Sequence, residues 1–68
     1  MTRLGHFIRG NRLQFADVAQ WAVISERRLR RIESGREEMN IHDLYRLVAA
    51  CSYLLGRRVK LTELIEDI

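Results

Sequence analysis

Residues 15 to 35, FADVAQWAVISERRLRRIESG, hold two short helical patterns separated by a tight turn, which limits the chain to folds in which two brief helices cross closely. At about 100° per residue, Leu29 and Ile32 share one side of the second helix. Arg27, Arg30, Arg31 and Ser34 gather on the other. The apolar side must pack, so the arginine side is expected to face outward. In the first helix Phe15, Val18, Ala19 and Ala22 form a matching stripe, and the two alanines permit a close approach by the helix that follows. Ser25 suits the N-cap of that helix, because its hydroxyl can accept from a free backbone N–H one turn on. Gly35 suits the stop.

The remainder reads as helix too. The patterns predict helices at about 2 to 11, 15 to 22, 26 to 34, 41 to 55 and 61 to 67, and no strand pattern competes. Leu4, Phe7 and Ile8 give the first helix its apolar side, Asn40 caps the fourth, Gly56 ends it, and Lys60 or Thr62 lies near the start of the fifth. Prolines, repeats and low-complexity tracts are absent, so there is no internal linker. Residues 1–68 are expected to form one all-α domain of five short helices. A chain of this length buries only about 60% of the surface its unfolded form exposes, so modest stability is expected. The single cysteine, Cys51, cannot staple the chain to itself. It falls on an apolar helix side with Leu44, Leu47, Val48 and Leu55 and is read as core. Neither a membrane span nor a cleavable leader is recognisable, and a cytoplasmic protein is expected.

Charge separates the two halves. The net charge is +3, but residues 1–36 carry eight arginines against Asp17, Glu26 and Glu33, a balance of +5. Residues 37–68 balance at −2. An ordinary solvated helix face mixes signs in i,i+4 pairs. Here Arg27 is followed by Arg31, which repels it. A like-charge pair of that kind points to an anionic partner. Catalysis and cofactors are not expected. His6 and His42 are far apart with no second ligand at metal spacing, Ser25 and Ser34 have no adjacent base, and Gly5, Gly10, Gly35 and Gly56 form no phosphate loop.

These residues carry a resemblance. Val18-Ala19, Ala22-Val23-Ile24-Ser25, Leu29 and Ile32-Glu33-Ser34-Gly35 resemble the helix-turn-helix domain of the phage Cro and repressor type, the XRE family. Asn40-Ile41 with Leu44, Leu47 and Ala50 is similar to that family's fourth helix, and Val59 to Ile65 to its fifth, so the resemblance covers nearly the whole chain. Its most specific part is the Ile-Glu-Ser-Gly run at its distance from Ser25. Three positions depart from the family pattern. Val23 stands where glycine is common, and a β-branched residue there is strained if φ is positive. Phe15 replaces a glutamine that touches a phosphate in many members. Several additional residues, roughly Ser52 to Arg58, lie between the fourth and fifth helices.

The resemblance implies a five-helix, lambda-repressor-like fold and a sequence-specific transcriptional regulator, of repressor type, that binds double-stranded DNA as a homodimer. The helix from Glu26 to Ser34 is then expected in the major groove, with the preceding helix across the backbone. Arg27 and Arg31 point most directly away from the core, and their forks match the O6 and N7 acceptors of guanine, which makes them the expected base readers. Glu26 is a further candidate, as an acceptor from a cytosine amino group; interaction with the helix N-terminus explains it equally well. Arg28, Arg30 and Arg36 are expected on phosphates. Glu33 is read as a structural partner of Arg9 or Arg12. Tyr53, Leu54 and Ile68 are the expected dimer contacts, whereas Leu61 and Leu64 are expected to close the chain's own core. Trp21, about 100° off its helix's apolar stripe, is expected to cover the segment after Ser52 or to meet a partner. The alternative from another class is a protein-interaction module on the same fold, such as an antitoxin or scaffold domain, which Phe15, Trp21 and the added apolar segment keep in view. A sequence-neutral nucleic-acid binder would need stacking aromatics among the arginines, and there are none there.

Overall fold

In the computed structural model, which describes residues 2–65, helices α1 (Arg3–Gly10), α2 (Phe15–Ala22), α3 (Glu26–Glu33), α4 (Ile41–Leu55) and α5 (Leu61–Leu64) account for all regular structure among the described residues. The arrangement is all-α, and the limits of the first four helices agree with the sequence reading to within one residue; α5 ends at Leu64, with Ile65 extended, and residues 66 and 67 of its expected span lie outside the described residues.

Local chemistry fixes most of these limits. The Ser25 hydroxyl accepts from the Arg28 N–H at 3.1 Å, satisfying a donor that a helix start leaves free. At α4, Asn40 accepts from the Asp43 N–H at 2.8 Å while the Asp43 carboxylate accepts from the Asn40 N–H at 3.1 Å, a reciprocal capping box. Thr2 caps α1 by accepting from the Gly5 N–H, and its own N–H and hydroxyl donate to the Glu33 carbonyl at 3.1 and 2.8 Å. The first residue of α1's cap is therefore fastened to the last turn of α3. Gly35, at φ +85°, lets the chain leave α3 in the left-handed region, and its N–H still reaches Ile32.

The turn between α2 and α3 is less comfortable. Val23 caps α2 at φ 58°, ψ 46°, so the strain foreseen for a β-branched residue there is present. Its side chain lies 79% exposed and gains little from packing in return. Ile24, the next residue, turns inward and is buried.

Among the described residues, fifteen apolar ones form one core drawn from all five helices and their links. Leu4 and Ile8 come from α1, Val18, Ala19 and Ala22 from α2, Leu29 and Ile32 from α3, Leu44, Leu47, Ala50 and Cys51 from α4, and Leu64 from α5. Cys51 is fully buried, and burial pushes its thiol up to about 11, so it is an inert part of the core rather than a reactive group. Ser52 to Leu55 continue α4 by a further turn. The link that follows is anchored by Val59, whose side chain is buried and whose N–H donates to the Ser52 hydroxyl at 2.9 Å. Arg57 grips Glu63 through two hydrogen bonds of 3.2 and 3.0 Å, closing the same link onto α5. Leu64 is buried and Leu61 packs against the core. No helix among the described residues is long and apolar enough to cross a membrane.

Candidate nucleic-acid interface

The outward side of α3 is built by what its inward side buries. Leu29 is fully buried and Ile32 is 3% exposed, which fixes the rotation of the helix and leaves Arg27, Arg30 and Arg31 on the exposed side. Leu29 alone, if truncated to alanine, removes packing worth about 2–5 kcal/mol. The orientation of the arginines is thus held by the core rather than by the arginines themselves.

The four guanidinium groups of α3 have different surroundings. Arg27 is exposed and has no ion-pair or hydrogen-bond partner among the described residues. Arg30 pairs with Glu26 one turn back at 3.0 Å and lies over the Phe15 ring at 4.7 Å, a cation–π position. Arg9 reaches the same ring at 5.6 Å. Phe15 thus joins the end of α1 and the middle of α3 through two cations. Arg31 donates to Glu37 through Nε at 3.1 Å and sits 2.9 Å away through Nη2. Half of its side chain stays in solvent.

Arg28 departs from the sequence reading. Expected on a phosphate, it instead donates through Nη1 and Nη2 to both carboxylate oxygens of Asp43 at 2.9 and 2.6 Å, and through Nε to Glu37. Each of its three nitrogens donates to a carboxylate of the chain itself. The physical reason is position: Arg28 lies at the edge of α3 that faces the start of α4, where Asp43 is buried at 1% exposure and must be matched by a cation. These contacts hold the Asp43 and Glu37 carboxyls below their ordinary range and raise the Arg28 guanidinium above its own, the hydrogen bonds between them being the largest cause in each case. Glu26, expected to accept from a cytosine amino group, is occupied by Arg30. Arg36 stands exposed just beyond the helix, in the turn where the Arg36 and Glu37 N–H groups both donate to the Arg31 carbonyl.

Glu33 sits as expected beside Arg9, at 3.8 Å, and is almost fully buried. Its Oε2 has no hydrogen-bond partner among the described residues. The carboxylates that sequence reasoning missed are Glu37 and Asp43. Asp43 carried a signal, since Asn40-Ile41-His42-Asp43 has capping-box spacing; its second role, as the anchor of Arg28, required knowing how α3 crosses α4.

On another part of the surface, Trp21 and Tyr53 lie against each other with ring centroids 4.4 Å apart and planes tilted by 43°. Both remain half or more exposed. Trp21 thus does rest on the segment after Ser52, while keeping a face in water. Tyr45 and Ile41 are also exposed on α4. Leu54, expected as a dimer contact, is partly buried against the chain's own core, and Ile68 lies outside the described residues. Among the described residues there is no group of His, Cys, Asp and Glu side chains arranged to hold a metal ion.

No protein-family model, curated protein or solved structure matches this chain.

Proposed function

We propose that this chain is a sequence-specific DNA-binding transcriptional regulator of the phage Cro and repressor type, acting as a repressor that covers a promoter. In this reading α2 and α3 form a helix-turn-helix unit within a lambda-repressor-like fold, and α3 enters the major groove. One observation carries the proposal: Leu29 and Ile32 fix α3 so that Arg27, Arg30 and Arg31 all face outward from a buried seat. Arg27, which has no partner among the described residues, and Arg31, held by a surface ion pair, read bases. Arg30 and Arg36 reach phosphates. Arg28 is reassigned to structure, and Glu26 to the support of Arg30.

A single α3 reads only a few base pairs, so the protein works as a homodimer on a palindromic operator. Its largest dimension is 29 Å, and half-sites one helical turn apart are separated by about 34 Å. Two copies therefore fit side by side on one face of the duplex. Tyr53, with Trp21 against it, supplies an apolar contact for that pairing. A cytoplasmic location follows from the same reading.

The exposed Trp21–Tyr53 pair favours one other reading, a protein-interaction module that carries this fold without using DNA. Selection of bound duplexes from a random library, at low and at near-physiological salt, separates the two. Enrichment of a short inverted repeat that survives the higher salt is expected. Arg31→Ala then relaxes preference at one base pair, by about 1–3 kcal/mol, whereas Arg30→Ala weakens all sequences alike and flattens the salt dependence. Binding without enrichment, or no binding, overturns the proposal in favour of the interaction module.

A further inference from the structure

Arg31 faces two ways. Its side chain is half in solvent on the outward side of α3, yet both its Nε and its Nη2 are turned to Glu37. Glu37 is not a casual surface partner. Its N–H donates to the carbonyl of Arg31 at 3.2 Å, so the backbone holds it beside that residue. Its second carboxylate oxygen is held by Arg28, and Arg28 is in turn held by Asp43, which is buried and fixed by the α4 cap. Four charges of alternating sign thus run from the buried start of α4 to the exposed side of α3, with a net charge of zero.

Removing Arg31 from this chain leaves Asp43, Arg28 and Glu37 with one uncompensated negative charge beside the duplex. A phosphate offers Arg31 only another anion in exchange for Glu37, and adds repulsion between that phosphate and the freed carboxylate. A guanine offers two well-placed neutral acceptors in a major groove from which water has been displaced. Exchange with a phosphate is close to neutral at best, whereas exchange with the correct base gains the bidentate contact.

We propose that Glu37 is a specificity-determining residue that occupies Arg31 in the free protein, withholds it from non-specific DNA and releases it only to a matching base. This rests on the DNA-binding reading above. Arg27, which has no such partner among the described residues, supplies the ungated attraction.

The test is a double-mutant cycle with Glu37→Gln and Arg31→Ala, read as affinity for a fixed mixed-sequence duplex and for the selected operator over a range of salt. In Glu37→Gln, affinity for the mixed-sequence duplex should rise by up to about fivefold, the scale of an exposed ion pair. Its log–log salt slope should steepen by about 0.9, as one more phosphate contact requires. The ratio of operator to mixed-sequence affinity should fall. In the Arg31→Ala background the same substitution relieves only the repulsion of the uncompensated carboxylate, so the rise in mixed-sequence affinity should be smaller and the added phosphate contact should be missing from the slope. A merely structural role for Glu37 would persist in that background. Weaker operator binding with an unchanged slope, the signature of a buttress that orients Arg31 within the complex, overturns the inference while leaving the DNA reading intact. Failure of the parent protein to bind any duplex overturns both.

Discussion

Val23 shows how one side chain can work against its own backbone. It occupies φ 58° and ψ 46° with most of its surface in water, so the left-handed conformation costs about 1–2 kcal/mol with little burial to offset it. Val23→Gly removes that cost and gives back part of it as chain entropy in the unfolded state. The expected result is a net gain of about 0.5–1 kcal/mol and a melting temperature several degrees higher, measured by thermal unfolding. A lower melting temperature would show that the valine side chain contributes more than its exposure allows. At this scale the sequence was legible wherever a residue acts on its own backbone: Ser25, Asn40, Gly35 and Gly56 all cap as their chemistry dictates. It was opaque wherever a long side chain chooses among distant partners. Arg28 belongs to the same arginine-rich run as Arg27 and Arg31, and nothing local reveals that Asp43, fifteen positions on, receives it.

Between elements, the junction of α3 and α4 rests on a pairing that the helical pattern could not disclose. Apolar periodicity located both helices because the buried stripes of α3 and α4 repeat at helical spacing. Their crossing is then tied by Arg28 and Asp43, a contact that depends on where two separate helices meet. Asp43 has its carboxyl lowered below the ordinary 3.8 by the Arg28 hydrogen bonds first, with the Asn40 backbone adding to the effect. A carboxyl lowered on folding contributes stability that is complete above its unfolded value and is lost as pH falls through the folded one. Asp43→Asn should therefore destabilise the protein at neutral pH by about 2 kcal/mol, a charged hydrogen bond reduced for the partial exposure of Arg28. The gap between parent and variant should narrow as pH drops below 3.8, followed by urea unfolding at a series of pH values. A gap of constant size from neutral to acid pH would show that the charge of Asp43 is not what joins the helices.

For the molecule as a whole, the asymmetry of charge read from the sequence, +5 against −2, takes a more specific form in space. The acidic half sends Glu37 and Asp43 back to bind two arginines of the basic half. Positive charge is consequently offset at Arg28 and Arg31, while Arg27 and Arg36 stand exposed near them without an ion pair among the described residues. Sedimentation at micromolar concentration should find a dimer of this 8.1 kDa chain, converted toward monomer by Tyr53→Ser. A monomer at every concentration would remove the homodimer from the proposal and return the Trp21 and Tyr53 surface to some other partner.

That surface has a further use. The chain's single tryptophan is half in water and lies against a tyrosine ring, so its emission responds directly to anything that displaces solvent from the indole. A covering partner shifts that emission to the blue. The protein thus carries its own optical gauge of whether this face is covered, with no label attached.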